Sequence, residues 1–223
     1  MMRFADRTEA GRLLAQRLAS MQLANPVVLA LPRGGVPVGA EIARALNAPL
    51  DLLLVRKIGV PWQPELAVAA VIDGEQPDVV IEESVQRDAG IPADYIDKQA
   101  KEQLGEIERR RRLYLGARPP VAVKGCTAIV VDDGVATGTS MRAALRALRR
   151  RLPARLVLAV PVAPADTVAR LRAEVDDVVC LSQPTPFMAI GPYYDDFHQL
   201  ADSEVTTLMS ELERERARAG SAT

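Results

Sequence analysis

Residues 128–145 read AIVVDDGVATGTSMRAAL, and the order of residue types in this stretch decides the fold. Ala128 to Val131 is a short apolar run rich in β-branched residues and bounded by turn signals, which predicts a buried strand. Asp132 and Asp133 follow, and then a small, hydroxyl-rich loop from Gly134 to Ser140. Beyond it, Ala143, Ala144, Leu145, Ala147 and Leu148 are strong helix formers. A helix start carries unpaired N–H groups and a partial positive charge, so this junction is a natural phosphate seat. Gly134 and Gly138 let the backbone approach closely, while Thr137, Thr139 and Ser140 offer hydroxyl donors. The two carboxylates would repel a phosphate, so they should face a neighbouring group that needs acceptors. Ribose hydroxyls meet that need, and so does a magnesium shell, which takes few carboxylates and keeps waters. A 5-phosphorylated ribose fits the spacing from end to end. An acidic strand of a nucleotide triphosphatase would need a G-x-x-x-x-G-K-[ST] loop elsewhere, and this chain has none.

The segment VVDDGVATGTS resembles the phosphoribosyl-diphosphate (PRPP) binding motif of type I phosphoribosyltransferases. The resemblance implies an α/β fold, with a doubly wound, mainly parallel sheet flanked by helices and a small variable hood. It implies a Mg2+-dependent pentosyltransferase that moves 5-phosphoribosyl from PRPP to a nitrogenous base and releases diphosphate. Carried over residue by residue, Asp132 and Asp133 hold the ribose hydroxyls and the metal, directly or through water. Gly134, Val135, Ala136, Thr137, Gly138, Thr139 and Ser140 then form the PRPP loop. Many members have a second threonine in the Gly134-Val135-Ala136 region, so here Thr137 must carry more of the contact.

Composition is ordinary for a globular chain of 223 residues, with 48% hydrophobic and 26% charged residues. That length suits one domain over 1–223. A net charge of −1 gives no sign of a nucleic-acid or membrane-surface binder. Cys126 and Cys180 alone make no disulfide framework and are expected as buried, reduced thiols. The N-terminus lacks an apolar signal core and no run reaches membrane-span length, so a cytoplasmic protein is expected. A homodimer is the habit of the family.

Elsewhere, residues 6–24 are expected as a helix, with Asp6 and Glu9 resembling a capping box. Val27 to Leu31 is the next predicted strand. It runs into Pro32-Arg33-Gly34-Gly35 and then a helix over Val36 to Leu46, a second anion-site layout. In the family this loop holds the diphosphate of PRPP and often contains a cis peptide, a role carried to Arg33, Gly34 and Gly35. DLLLV, Asp51 to Val55, reads as a third strand ending in Arg56 and Lys57, both assigned by resemblance to diphosphate. Ile58 to Pro64 holds two prolines and a glycine, which predicts irregular structure. Residues 56–92 are thus expected as a lid loop followed by a hairpin of Leu66–Ile72 and Val79–Ile81 around Asp73-Gly74-Glu75.

Residues 93–115 predict a long polar helix whose run Arg109–Arg112 is a solvated face. Strands at Arg155–Val160 and Val178–Leu181 flank a helix at Ala165–Ala173. A final helix spans 202–217, and 218–223 are expected to fray. Strands alternating with helices imply parallel pairing, with ligands outside the carboxyl ends of the strands. Pro32–Gly35, Arg56–Lys57 and Asp132–Ser140 would then converge on one cleft.

Residues 182–198, SQPTPFMAIGPYYDDFH, concentrate the aromatics and are the candidate hood. Phe187, Tyr193 or Tyr194 would stack on a flat acceptor, purine being favoured, and Asp195 and Asp196 would accept from ring N–H groups. His198 is expected in a surface or capping role. Trp62 is expected either on the lid or packed at its base. Arg33, Lys57, Asp132 and Asp133 are the expected catalytic set. A second reading, a regulatory protein of the same fold that binds PRPP or a nucleotide and transfers nothing, stays open at this point.

Overall fold

The computed structural model describes residues 2–74 and 77–220, the last two without their side chains. The central sheet has five strands in the order β2-β1-β6-β7-β8, formed by β1 (Pro26–Ala30), β2 (Leu50–Leu52), β6 (Thr127–Val131), β7 (Arg155–Val162) and β8 (Asp177–Ser182). Every pairing in it is parallel. Successive residues of a strand point to opposite faces, and both faces here are apolar. Val28 and Ala30 of β1 and Ile129 and Val131 of β6 enter one core. Val27 and Leu29, with Ala128 and Val130, enter the other. Helices α1 (Arg7–Ala19) and α2 (Gly35–Ala45), α4 (Ala93–Leu115) and α7 (Asp202–Gly220) cover the first face. Helices α5 (Thr139–Arg150) and α6 (Ala165–Leu171) cover the second. The sheet is doubly wound, as expected.

The strand order reverses between β1 and β6: the chain leaves β1 for β2 on one side and later returns to β6 on the other. The crevice at such a switch point is where open α/β sheets bind ligands. The loops 32–34 and 132–138 both open onto it.

Four expectations about elements need correction. DLLLV is not one strand: β2 ends at Leu52, and Leu53 and Leu54 form a buried crossing into a second sheet. Ile58 to Pro64 is not irregular, because β3 (Val55–Val60) and β4 (Gln63–Ile72) form an antiparallel hairpin, with β5 (Asp78–Ile81) as the third strand. Pro61 sits in the turn, and Pro64 lies where the β3–β4 register shifts, so neither proline interrupts a regular ladder. A short helix, α3 (Glu83–Asp88), adds an element that the sequence pattern does not predict. The last helix runs to Gly220, past the expected end at 217. Residues 221–223, and Glu75 of the expected turn, lie outside the described residues. Half of the expected capping box is present: the N-cap Asp6 accepts through Oδ1 from Glu9 N at 2.7 Å, but Glu9 Oε2 reaches back one residue further, to Ala5 N at 2.5 Å, and not to the N–H of Asp6.

Candidate active site

The loop expected to seat a phosphate is built as its residues dictate. Gly138 caps α5 with φ +79, the left-handed region a side chain would resist. Its carbonyl accepts the first helical bond from Arg142 N at 2.8 Å. Ala136 and Thr137 are exposed on the loop, and Thr139 and Ser140 are half-buried in the first turn. The Ala136 carbonyl accepts from Thr167 Oγ1 at 2.8 Å, which ties the loop to α6. Val135 is buried, and its N–H donates to the Val162 carbonyl at 2.9 Å. Val135 is therefore an anchor, while the neighbouring hydroxyls stand free of the core.

The two aspartates diverge. Asp132 lines a cavity of about 210 Å³ together with Pro32, Arg56, Arg110 and Ser140. Asp133 is buried and turns away from that cavity. Its Oδ2 accepts from Arg7 Nε at 2.8 Å, and its carbonyl accepts from the Tyr194 hydroxyl at 2.6 Å. Burial raises the Asp132 carboxyl well above the usual carboxylate range, and the Asp133 charge adds to this. Burial also raises Asp133, with the Arg7 guanidinium opposing it. Arg7 is itself fixed: Nη1 donates to the His198 carbonyl at 3.0 Å, and the guanidinium lies 4.1 Å from the centre of the Phe197 ring.

The Pro32–Gly35 loop follows β1 directly. Its Pro32–Arg33 bond is cis, in keeping with the resemblance. At Gly34 an added Cβ would fall 2.1 Å from Asp133 Oδ2, so only glycine lets the carboxylate lie against this backbone. The Arg33 side chain turns toward α7, with Nη1 3.5 Å from Asp202 Oδ1. Asp202 also accepts from the Tyr114 hydroxyl at 2.6 Å. Burial and this bond to Asp202 push the Tyr114 phenol up to about 12.

Arg56 and Lys57 are adjacent in strand β3, so their side chains leave opposite faces. Arg56 reaches the cavity and donates from Nε to Gln103 Oε1 at 3.0 Å; Lys57 is exposed and does not line it. The cavity thus gathers Asp132, Ser140, Arg56 and Pro32, and leaves out Lys57, the Asp133 carboxylate and the Arg33 side chain. Magnesium takes one or two carboxylates with substrate oxygens. Asp132 suits that pattern, whereas Asp133 is already committed to Arg7. Among the described residues no group of three or more His, Cys, Asp or Glu side chains could hold a metal unaided.

The hood expectation changes most. Tyr193 and Tyr194 are each 3% exposed, packed with Phe4 in a small third core, and offer no ring face to an acceptor. Phe187 is half-buried and stacks on Tyr193 at 5.7 Å. Asp195 pairs with Arg3 at 2.6 Å, and Asp196 accepts from the His198 backbone N–H at 3.1 Å. Clustered Tyr and Phe carry the same sequence signal whether they meet a ligand or each other, which is why the hood pattern misleads. A larger cavity of about 450 Å³ lies between α1, α2 and α7 and includes Arg7, Pro37 and His198, but no residue of 132–140. Trp62 is 68% exposed at the tip of the β3–β4 hairpin, not packed at its base.

Sequence reading missed Arg110 and Arg111. Both lie in the run expected to be solvated, but on a helix only every third or fourth residue shares a face. Arg111 is half-buried between Asp73 (2.7 Å) and Asp51 (3.0 Å), and Arg110 lines the cavity. The positions of Ile107 and Tyr114, apolar or aromatic at helical spacing, carried the signal for the inward face.

The phosphoribosyl transferase domain family matches residues 6–197, and the chain belongs to that family. The structure of TT1426 from Thermus thermophilus is similar over 95% of this chain and 99% of that one, with 44% identity and a TM-score of 0.84. Two Mycobacterium tuberculosis sequences, named "Putative phosphoribosyl transferase Rv0571c" and "Putative phosphoribosyl transferase MT0597", are each 45% identical over 217 residues, 97% of this chain. The chain spans about half the length, 48%, of these curated relatives.

Proposed function

We propose that the protein transfers the 5-phosphoribosyl group of PRPP to a nitrogenous acceptor and releases diphosphate. The observation that carries this reading is the convergence of a helix-start phosphate seat, the Asp132 carboxylate and a basic wall on one switch-point crevice, in a chain of the phosphoribosyl transferase family. The 5-phosphate sits on the Ala136–Ser140 turn, where α5 supplies N–H groups and the threonines supply hydroxyls. Asp132 accepts from the ribose hydroxyls and stabilises positive charge developing at C1. The acceptor nitrogen forms its bond to C1 as the C1–oxygen bond to diphosphate breaks, and the acceptor gives up its proton. Arg56 and Arg33 draw the departing diphosphate, Arg33 by exchanging Asp202 for phosphate oxygens. When bound, magnesium supplies further neutralisation of the diphosphate charge, with Asp132 as the protein ligand that suits it.

Asp133 contributes indirectly, by packing against the Gly34 backbone and by holding Arg7, which in turn meets the hood at His198 and Phe197. Phe187 and Phe197 are the hood aromatics that stay half-buried; Phe197 lies against Arg7, so Phe187 is the ring that keeps a flat purine-like acceptor as the favoured one. The test is diphosphate release from PRPP and Mg2+ across nucleobases, orotate and simple amines, with Asp132→Asn as blank. Release with one acceptor, absent in the variant, supports the reading and names the substrate. Equal release by wild type and variant overturns it. Absent release together with absent PRPP binding overturns it as well.

A further inference from the structure

We propose that Arg110 of α4, acting with Arg56, binds the diphosphate of PRPP and takes the share that the family resemblance gives to Lys57. This rests on the transferase reading above. Gln103, Ile107, Arg110 and Tyr114 recur at helical spacing and form the face of α4 turned to the site. Each does something there. Gln103 holds Arg56, Ile107 is 2% exposed and lines the cavity, and Tyr114 bonds Asp202, which in turn meets Arg33. Arg110 lines the same cavity as Arg56, Asp132, Ser140 and Pro32.

The local charge favours an anion. Glu106 Oε1 accepts from Arg110 Nε at 2.8 Å, but Glu106 also accepts from Arg109 through both of its oxygens. One carboxylate therefore serves two guanidiniums, and of the charged side chains that line the cavity two, Arg56 and Arg110, are cationic against the one carboxyl of Asp132. The Arg110 side chain is 35% exposed, so it can reorient without opening the core. A planar guanidinium matches phosphate oxygens in a fork that a lysine cannot reproduce. Lys57 meanwhile leaves the far face of β3, for the reason of strand period given above.

Calorimetric titration of wild type, Arg110→Gln and Arg110→Lys with PRPP–Mg2+ and with ribose 5-phosphate tests this, because only the first ligand carries diphosphate. Arg110→Gln is expected to weaken PRPP about tenfold or more, and ribose 5-phosphate by less than about twofold, with Arg110→Lys in between for PRPP. Glu106→Gln frees Arg110 and is expected to bind PRPP at least as tightly as wild type. Unchanged PRPP affinity in Arg110→Gln, or an equal loss for both ligands, overturns the assignment of Arg110 alone. Wild type that binds neither ligand overturns the transferase reading and this assignment with it.

Discussion

Replacing Asp132 by asparagine removes the motif carboxylate that lines the small cavity, and replacing Asp133 removes one partner of a buried ion pair. The expected outcomes therefore separate. Asp132→Asn should abolish PRPP-dependent turnover with a melting temperature close to wild type. Asp133→Asn leaves Arg7 buried without its counter-charge and should cost about 3 kcal/mol, since breaking one side of a buried pair is far worse than never having it. Chemical denaturation of both variants checks this; similar stabilities would contradict the division of roles. At Gly34 the added methyl of Gly34→Ala would collide with the Asp133 carboxylate, so that variant should lose activity and melt lower, read in the same two assays. The motif itself was legible in sequence because its chemistry is local: strand, acids, glycine at a left-handed helix cap. Which of two adjacent aspartates faces the cavity was not legible. That depends on Arg7, 126 positions away, and on a tyrosine 61 positions away.

At the scale of elements, α4 ties the two sheets together through a buried charge cluster. Arg111 reaches Asp51 in β2 and Asp73 after β4, while Asp51 also accepts from Val121 N at 2.8 Å and Asp73 from Leu54 N at 2.7 Å. Burial raises the Asp73 carboxyl to about 6, with Arg111 opposing the shift. A carboxyl raised in the folded state favours folding fully below its unfolded value, near 4, and loses that contribution as pH rises through about 6. Wild type should therefore gain roughly 2 kcal/mol relative to Asp73→Asn between about pH 7 and about pH 4. A stability difference that is flat across that window would contradict the assignment. The hairpin β3–β4 carries Trp62, the chain's single tryptophan, at its exposed tip. If this arm closes over bound PRPP, Trp62 emission shifts on adding PRPP–Mg2+; an unchanged spectrum at saturating ligand would exclude the arm as a lid. Prolines and glycine made this arm look irregular, since local propensity cannot register that a neighbouring strand accommodates them at a turn and a bulge. The 93–115 helix, by contrast, was read to its ends, because a long periodic pattern needs no partner to be recognised.

For the whole molecule, the architecture follows from strands that are apolar on both faces, alternating with helices, and the switch-point crevice follows from strand order. Alternation predicts the parallel sheet; the second, antiparallel sheet between β2 and α4 is legible only in part, as the hairpin of β4 and β5, while β3 as its third strand is not. The hood is the other part that sequence misplaced, because Tyr193 and Tyr194 close a third core with Phe4, near the opposite end of the chain. What unites these parts is the claim that one crevice binds PRPP through Asp132 and the α5 helix start. The most direct measurement is a calorimetric titration of wild type and Asp132→Asn with PRPP and Mg2+. The account predicts saturable binding by wild type, at one site per chain, and its loss in a variant that still melts cooperatively. Equal binding by the two proteins, or no binding by wild type, would contradict it.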